Sequence, residues 1–219
     1  MPRARTPTIL PADLATFASA LHRLAPMDEA SLRAGFALLR PRELGKGELF
    51  LRAGVVATEV AVVVRGLLRE YFALSDGTER TKAFVVEAEL SGSLADLLSG
   101  VPSRAFIVAE EPTRVLVGSH AAFRELASRS PAWAELGRRS LEALLLRKAE
   151  REYELLGLDA EERYASFATR FPGLEARVAA KHVASYLGIT PVHLSRLRRR
   201  RRESAKARGR GTPPRGSRR

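Results

Sequence analysis

The chain has 219 residues, 45% of them hydrophobic, no cysteine and a formal charge of +12. Cysteine's absence excludes disulfides, thiolate zinc sites, iron–sulfur clusters and a Cys nucleophile. The charge is uneven: residues 196–219 hold 12 Lys+Arg against the single acid Glu203, whereas the other 195 residues sum to +1. This length allows one large or two small domains. No apolar run approaches the ~20 residues of a membrane span, and the N-terminal stretch lacks a signal-peptide core, so a cytoplasmic, soluble protein is expected. His22, His120, His182 and His193 are scattered, and no P-loop, GxGxxG, GxSxG or HExxH motif occurs. No catalytic or metal-ligating residues are assigned. Arg outnumbers Lys by 32 to 5, a bias that a GC-rich genome produces by itself, so the clustering of arginines carries more than their number.

Residues 11–39 show helical spacing: Leu14, Phe17, Ala18, Leu21 and Leu24 form one stripe, and a second short helix follows Asp28 through Leu32, Phe36 and Leu39. From about residue 44 to 118 short β-type runs take over, at Leu49–Arg52, Val60–Arg65, Leu67–Leu74, Lys82–Val86, Ala105–Ala109 and Arg114–Val117. Many short strands between glycine-marked turns predict a small sandwich or barrel. Asp76-Gly77 is the best single hairpin signal. Ser119 is placed to cap a helix through Phe123 and Leu126.

Pro131 opens the longest helix, to about Leu156, with Trp133, Leu136, Leu141, Leu144, Leu145, Tyr153 and Leu156 among charged residues. At ~25 residues it would be ~37 Å long, more than a compact small domain needs internally. It either packs along its own domain or forms a two-stranded dimer seam.

Asp159 is a natural N-cap for a helix over 162–171, which Pro172-Gly173 stops. Residues 180–199 then read as a short helix to Leu187, a turn at Gly188-Ile189, and a second helix with Thr190 as N-cap and Pro191 at its first position. Val183, Leu187, Ile189, Leu194 and Leu197 would close a small core, with Ala184 small where the helices cross and Gly188 in the left-handed turn. That combination predicts a helix-turn-helix, whose second helix enters the DNA major groove. Its outward side carries Val192, His193, Ser195, Arg196 and Arg199. Arg196 can offer a bidentate fork to guanine, worth about 1–3 kcal/mol of discrimination. Thr190, His193, Ser195 and Arg199 are further candidates, and Lys181 and His182 suit backbone phosphate. An ordinary solvated helical hairpin is the alternative for these residues.

The string Arg163-Tyr164, Phe167, Phe171-Pro172-Gly173-Leu174-Glu175, Arg177-Val178, 183–191 and Leu194-Ser195-Arg196 resembles the Crp/Fnr family of bacterial transcription regulators. Upstream, Leu51-Arg52-Ala53-Gly54, 62–66 and Asp76-Gly77 look like that family's glycine-punctuated β-roll, and the likeness spans roughly residues 40–200. The resemblance implies an α+β fold. A cyclic-nucleotide-binding-like jelly roll with flanking helices occupies 1–130, a dimerisation helix 131–158, and a helix-turn-helix domain 159–202. It further implies a homodimer on a near-palindromic double-stranded DNA operator, a small-molecule effector, and contact with RNA polymerase. Effector residues carried over by the resemblance are Gly92, Ser93, Leu94, Ala95 and Arg104. Family members that bind cyclic nucleotide carry a glutamate where Ser93 stands, so cyclic nucleotide is kept as an open but disfavoured effector, with Arg104 as its anion partner, and no other cofactor is assigned. Early charged residues of the recognition helix are replaced by Pro191 and Val192, so operator sequence does not transfer. In place of a β-hairpin wing, 203–219 is expected to be a disordered basic tail. The competing function is a ligand-binding or protein-interaction module whose helix-turn-helix has only non-specific nucleic-acid affinity.

Overall fold

A computed structural model describes residues 7–209, and their side chains to residue 203. Contacts divide the chain into two compact units, with the division between Tyr153 and Glu154.

In the first unit, helices α1 (Pro11–His22) and α2 (Glu29–Phe36) precede eight strands: β1 (Leu39–Leu44), β2 (Leu49–Leu51), β3 (Glu59–Arg65), β4 (Leu68–Ala73), β5 (Glu79–Val85), β6 (Leu90–Ser91), β7 (Phe106–Ala109) and β8 (Thr113–Ser119). Helix α3 (Leu94–Ser99) lies between β6 and β7, and α4 (His120–Arg129) and α5 (Pro131–Gly157) follow β8. The strands form two antiparallel four-stranded sheets, β1-β8-β3-β6 and β2-β7-β4-β5, a jelly roll. The hairpin at Asp76-Gly77 joins β4 to β5, with Gly77 at φ +80°.

Side-chain alternation explains the continuous apolar runs of β3 and β8. Ala61, Val63, Val115 and Val117 join Leu44, Leu68, Val85 and Ile107 between the sheets. Val62 and Leu116 point the other way, into a second core with Phe17, Leu21, Trp133 and Leu136. A sheet covered on both faces needs no polar alternation. Arg114 on β8 pins α1 to the roll: it donates to both carboxylate oxygens of Asp13, to Glu43 and to the Thr8 carbonyl. Gly35 admits the indole of Trp133, whose Cζ2 would lie 2.2 Å from a Cβ placed there.

Three elements of the first unit differ from the spacing-based expectation, α3 among them, which spacing left unassigned. Leu39 does not end α2. It begins β1, paired to Gly118, because Pro41 cannot continue a helix but is tolerated on a sheet-edge strand. β6 is also new; two residues are too short to leave a periodic signal.

The second unit holds the end of α5, then α6 (Ala160–Arg170), a 3-10 turn (Leu174–Ala176), α7 (Ala180–Leu187) and α8 (Pro191–Gly209). Asp159 caps α6 as expected, accepting from the Glu161 and Glu162 amides, while Glu162 reaches back to the Asp159 amide. Phe167, Phe171 and Tyr186 cluster with ring centroids 5.5–5.9 Å apart. The tail expected from residue 203 is instead helical as far as Gly209, and residues 210–219 lie outside the described residues. Arg, Ala, Lys and Glu are good helix formers, and extending an existing helix avoids the cost of nucleating one.

Candidate nucleic-acid interface and sensor cassette

Helices α7 and α8 form a helix-turn-helix around an apolar centre. Val183, Ala184, Leu187 and Leu194 are fully buried and Leu197 nearly so, while Ile189 is half-buried. Gly188 ends α7 in the left-handed region at φ +69°, and the Ile189 amide closes the helix on the Ala184 carbonyl. Thr190 accepts from the His193 amide at 3.2 Å, and Pro191 begins α8.

Of the residues expected at a nucleic-acid face, Lys181, Thr190, His193, Ser195, Arg196 and Arg199 are exposed and His182 is half-buried. Val192 is exposed beside them. Two further residues decide which arginines face outward, and no spacing rule marked them. Arg198 donates to Glu175 Oε1 through Nε and Nη2, at 3.1 and 2.9 Å, and the Tyr164 hydroxyl donates to Glu175 Oε2 at 3.0 Å. Burial, then the Glu175 carboxylate, raises the Tyr164 phenol above its ordinary value. Arg201 lies over the Tyr164 ring, 5.1 Å from its centroid. Arg198 and Arg201 therefore hold α8 to α6 and the 3-10 turn, leaving Arg196, Arg200 and Arg202 to present their charge to solvent, while Arg199, also exposed, lies 3.8 Å from Glu203 one turn on.

In the first unit, residues 92–105 form a cassette between β6 and β7. Gly92 leaves β6 at φ +144°, α3 is stopped by Gly100 at φ +68°, and Ser103 is tied back by bonds between its backbone and Gly54 and Val55. The two segments expected to meet an effector do converge, but on Asp96, which sequence reasoning passed over. Ser93 Oγ donates to Asp96 Oδ2, and the side chains of Ser93, Asp96 and Ser103 are all buried. Burial opposes the Asp96 charge, but the Ser93 and Ser103 hydroxyls, the Arg104 amide and the Arg104 guanidinium outweigh it, so the carboxyl sits below its ordinary value. Leu94 is half-buried, and Ala95 and the Arg104 side chain are exposed. The available signal was an acid three residues after Ser93 within the apolar stretch 94–98. Among the described residues, only Ser91 Oγ is a buried side-chain polar atom with no hydrogen-bond partner; Ser91 pairs with Ala61, whose side chain lies between the sheets.

Residues 41–130 match the cyclic nucleotide-binding domain family. Solved structures of the same fold include FixK2 from Bradyrhizobium japonicum, 22% identical with a TM-score of 0.67, covering 76% of this chain and 86% of that one. A CooA double mutant from Carboxydothermus hydrogenoformans is 23% identical at a TM-score of 0.63, covering 81% of this chain and 82% of that one. The chain has the Crp/Fnr fold. A third protein of this fold, CLP from Xanthomonas campestris, is 16% identical at a TM-score of 0.64, covering 81% of this chain and 93% of that one. A comparison with curated protein sequences returns no match. Among the described residues of this Crp/Fnr-fold protein, no group of His, Asp and Glu is placed to hold a metal ion, and no helix is long and apolar enough to cross a membrane.

Proposed function

We propose that this protein is a sequence-specific DNA-binding transcriptional regulator of the Crp/Fnr type, acting as a homodimer with an effector-sensing N-terminal domain. One observation carries the reading. The outward face at the start of α8 brings together Thr190, His193, Ser195 and Arg196, with Arg199 beyond, on a helix held rigidly by Ala184, Gly188 and the Glu175 cluster. Arg196 reads base edges, Arg199, Lys181 and His182 contact phosphate, and the exposed arginines that follow add sequence-independent affinity. CLP is itself described as a c-di-GMP responsive global regulator, which supports placing a sensor ahead of a DNA reader in this chain too.

Dimerisation falls to α5. Leu141, Leu145, Leu146, Tyr153, Leu155 and Leu156 are exposed along it. Leu141, Leu145, Lys148, Glu152 and Leu155 follow the alternating four- and three-residue steps of a heptad seam. A two-fold dimer of this kind reads a near-palindromic operator, whose half-sites lie about 34 Å apart.

The test is selection of bound fragments from the source genome, followed by gel-shift titration of Arg196→Ala on a selected operator and on random DNA. Arg196→Ala is expected to weaken operator binding far more than random binding. An equal loss on both would favour an interaction module with only non-specific nucleic-acid affinity.

A further inference from the structure

We propose that Val192 is a specificity-determining residue of the nucleic-acid interface, the apolar contact for the C5-methyl group of a thymine in the operator. The proposal rests on the reading of α8 as a recognition helix and deepens it by naming a base that the helix requires.

Val192 is the second residue of α8 and is 62% exposed. At 3.6 residues per turn its direction lies about 160° round the helix axis from buried Leu194 and about 140° from buried Leu197. By the same geometry it is only about 40° from Arg196 and about 20° from Arg199. Val192 therefore occupies the middle of the outward face, with the two arginines following on the same side.

Local physics does not favour valine at this position. A β-branched residue is a weaker helix former than the straight-chain ones, and the first turn of a helix favours side chains that carry negative charge. Nor does the helix-turn-helix core use it, since that core is closed by Val183, Ala184, Leu187, Leu194 and Leu197. An apolar tip at the centre of an otherwise polar and cationic face is matched by an apolar group on the partner.

The major groove of B-DNA displays one such group among its donors and acceptors, the thymine methyl. Phosphate oxygens offer valine nothing. The first turn of a recognition helix is the part that reaches base edges, and Val192 lies there. Arg196 is one turn further on, about 6 Å along the axis, and successive base pairs are about 3.4 Å apart. The thymine thus falls within about two base pairs of the guanine that Arg196 takes. Because valine neither donates nor accepts a hydrogen bond, its preference depends on the methyl group alone.

The experiment is an anisotropy titration of the full chain on an operator selected from the source genome. In parallel duplexes each thymine of the half-site is replaced, one position at a time, by deoxyuridine, which lacks only the methyl. Wild type, Val192→Ser and Val192→Ala are compared, each checked for folding by circular dichroism. The wild type is expected to lose about three- to tenfold in affinity at one thymine per half-site, the worth of roughly one buried methyl-sized group. In both variants most of that loss should disappear, with binding to random DNA unchanged. A wild type indifferent to deoxyuridine at every position overturns the proposal, and so does a loss of equal size in the folded variants. If neither variant folds, Val192 serves the fold and the proposal is likewise overturned. A chain that selects no operator refutes the regulator reading and this proposal with it, whereas a selected operator bound without regard to its methyl groups refutes this proposal alone.

Discussion

Replacing Leu145 by alanine tests the dimer seam most directly. Leu145 is 67% exposed on α5, so about two-thirds of its burial energy is unclaimed in a single chain. Full burial of a leucine side chain is worth about 1.5–3 kcal/mol, which leaves about 1–2 kcal/mol per chain to be gained on pairing. Two-fold symmetry counts the residue twice, giving about 2–4 kcal/mol per dimer, or about 30- to 700-fold in the dissociation constant. Position 145 is solvent-facing and alanine favours helix, so the substitution should leave the fold of the chain intact. Sedimentation velocity across a concentration series would read the shift from dimer to monomer, with circular dichroism as the folding control. Operator affinity should fall in parallel, because each half-site then binds alone. An unchanged dissociation constant would refute the placement of Leu145 in the seam, and a wild type that is monomeric throughout would refute the seam itself.

Gly66→Ala should cost more than about 3 kcal/mol. A Cβ there would meet Thr113 Oγ1, Thr113 Cα and the Pro112 carbonyl at 2.5–2.8 Å, on a residue already at φ +100°. Gly188→Ala, whose Cβ would meet only Leu155 Cδ2 at 3.8 Å, should cost about 1 kcal/mol of left-handed strain; denaturant melts with the opposite ranking would contradict the packing argument. Glu175→Gln removes the charge that Arg198 and Tyr164 share, on a partly exposed pair, so about 1 kcal/mol is expected. Weaker operator binding than Arg196-intact wild type, measured by gel shift, should accompany it, whereas unchanged binding would show that the cluster does not orient α8. Asp13 is depressed first by its hydrogen bonds from Arg114, with burial opposing and the Leu10 amide assisting. Its folded value lies below the unfolded one, so its stabilisation is complete above the ordinary carboxylate range and is lost as pH falls through the folded value. Asp13→Asn should therefore lower stability by about 3 kcal/mol near neutral pH, with the gap to wild type closing in thermal melts below about pH 4; a gap independent of pH would refute the ion pair as its source.

What was legible in the sequence was local chemistry. The Asp76-Gly77 hairpin, the Ser119 and Asp159 caps, the start of α5 at Pro131, and the Gly188-Ile189-Thr190-Pro191 turn are each decided by a few adjacent residues. So was the helix-turn-helix core, because the 3.6-residue period puts Val183, Ala184, Leu187, Leu194 and Leu197 on facing sides without reference to distant chain. β1 escaped because its residues are shaped by pairing with β8, about 70 to 80 positions later. Asp96 escaped for a related reason: an acid in an apolar stretch reads as a solvated position until Ser103 and Arg104 are folded back onto it.

The charge split between the body and the end of the chain was readable from composition alone, but its meaning was not. Tertiary structure assigned Arg198 and Arg201 to Glu175 and Tyr164, left Arg196 and Arg199 facing outward, and extended as helix what composition suggested was a tail. Sequence spacing sets which residues share a helix face, because that follows from backbone geometry. Which of those residues keep their charge for a ligand depends on the distant groups folding brings within hydrogen-bond reach, and only the folded chain decides that.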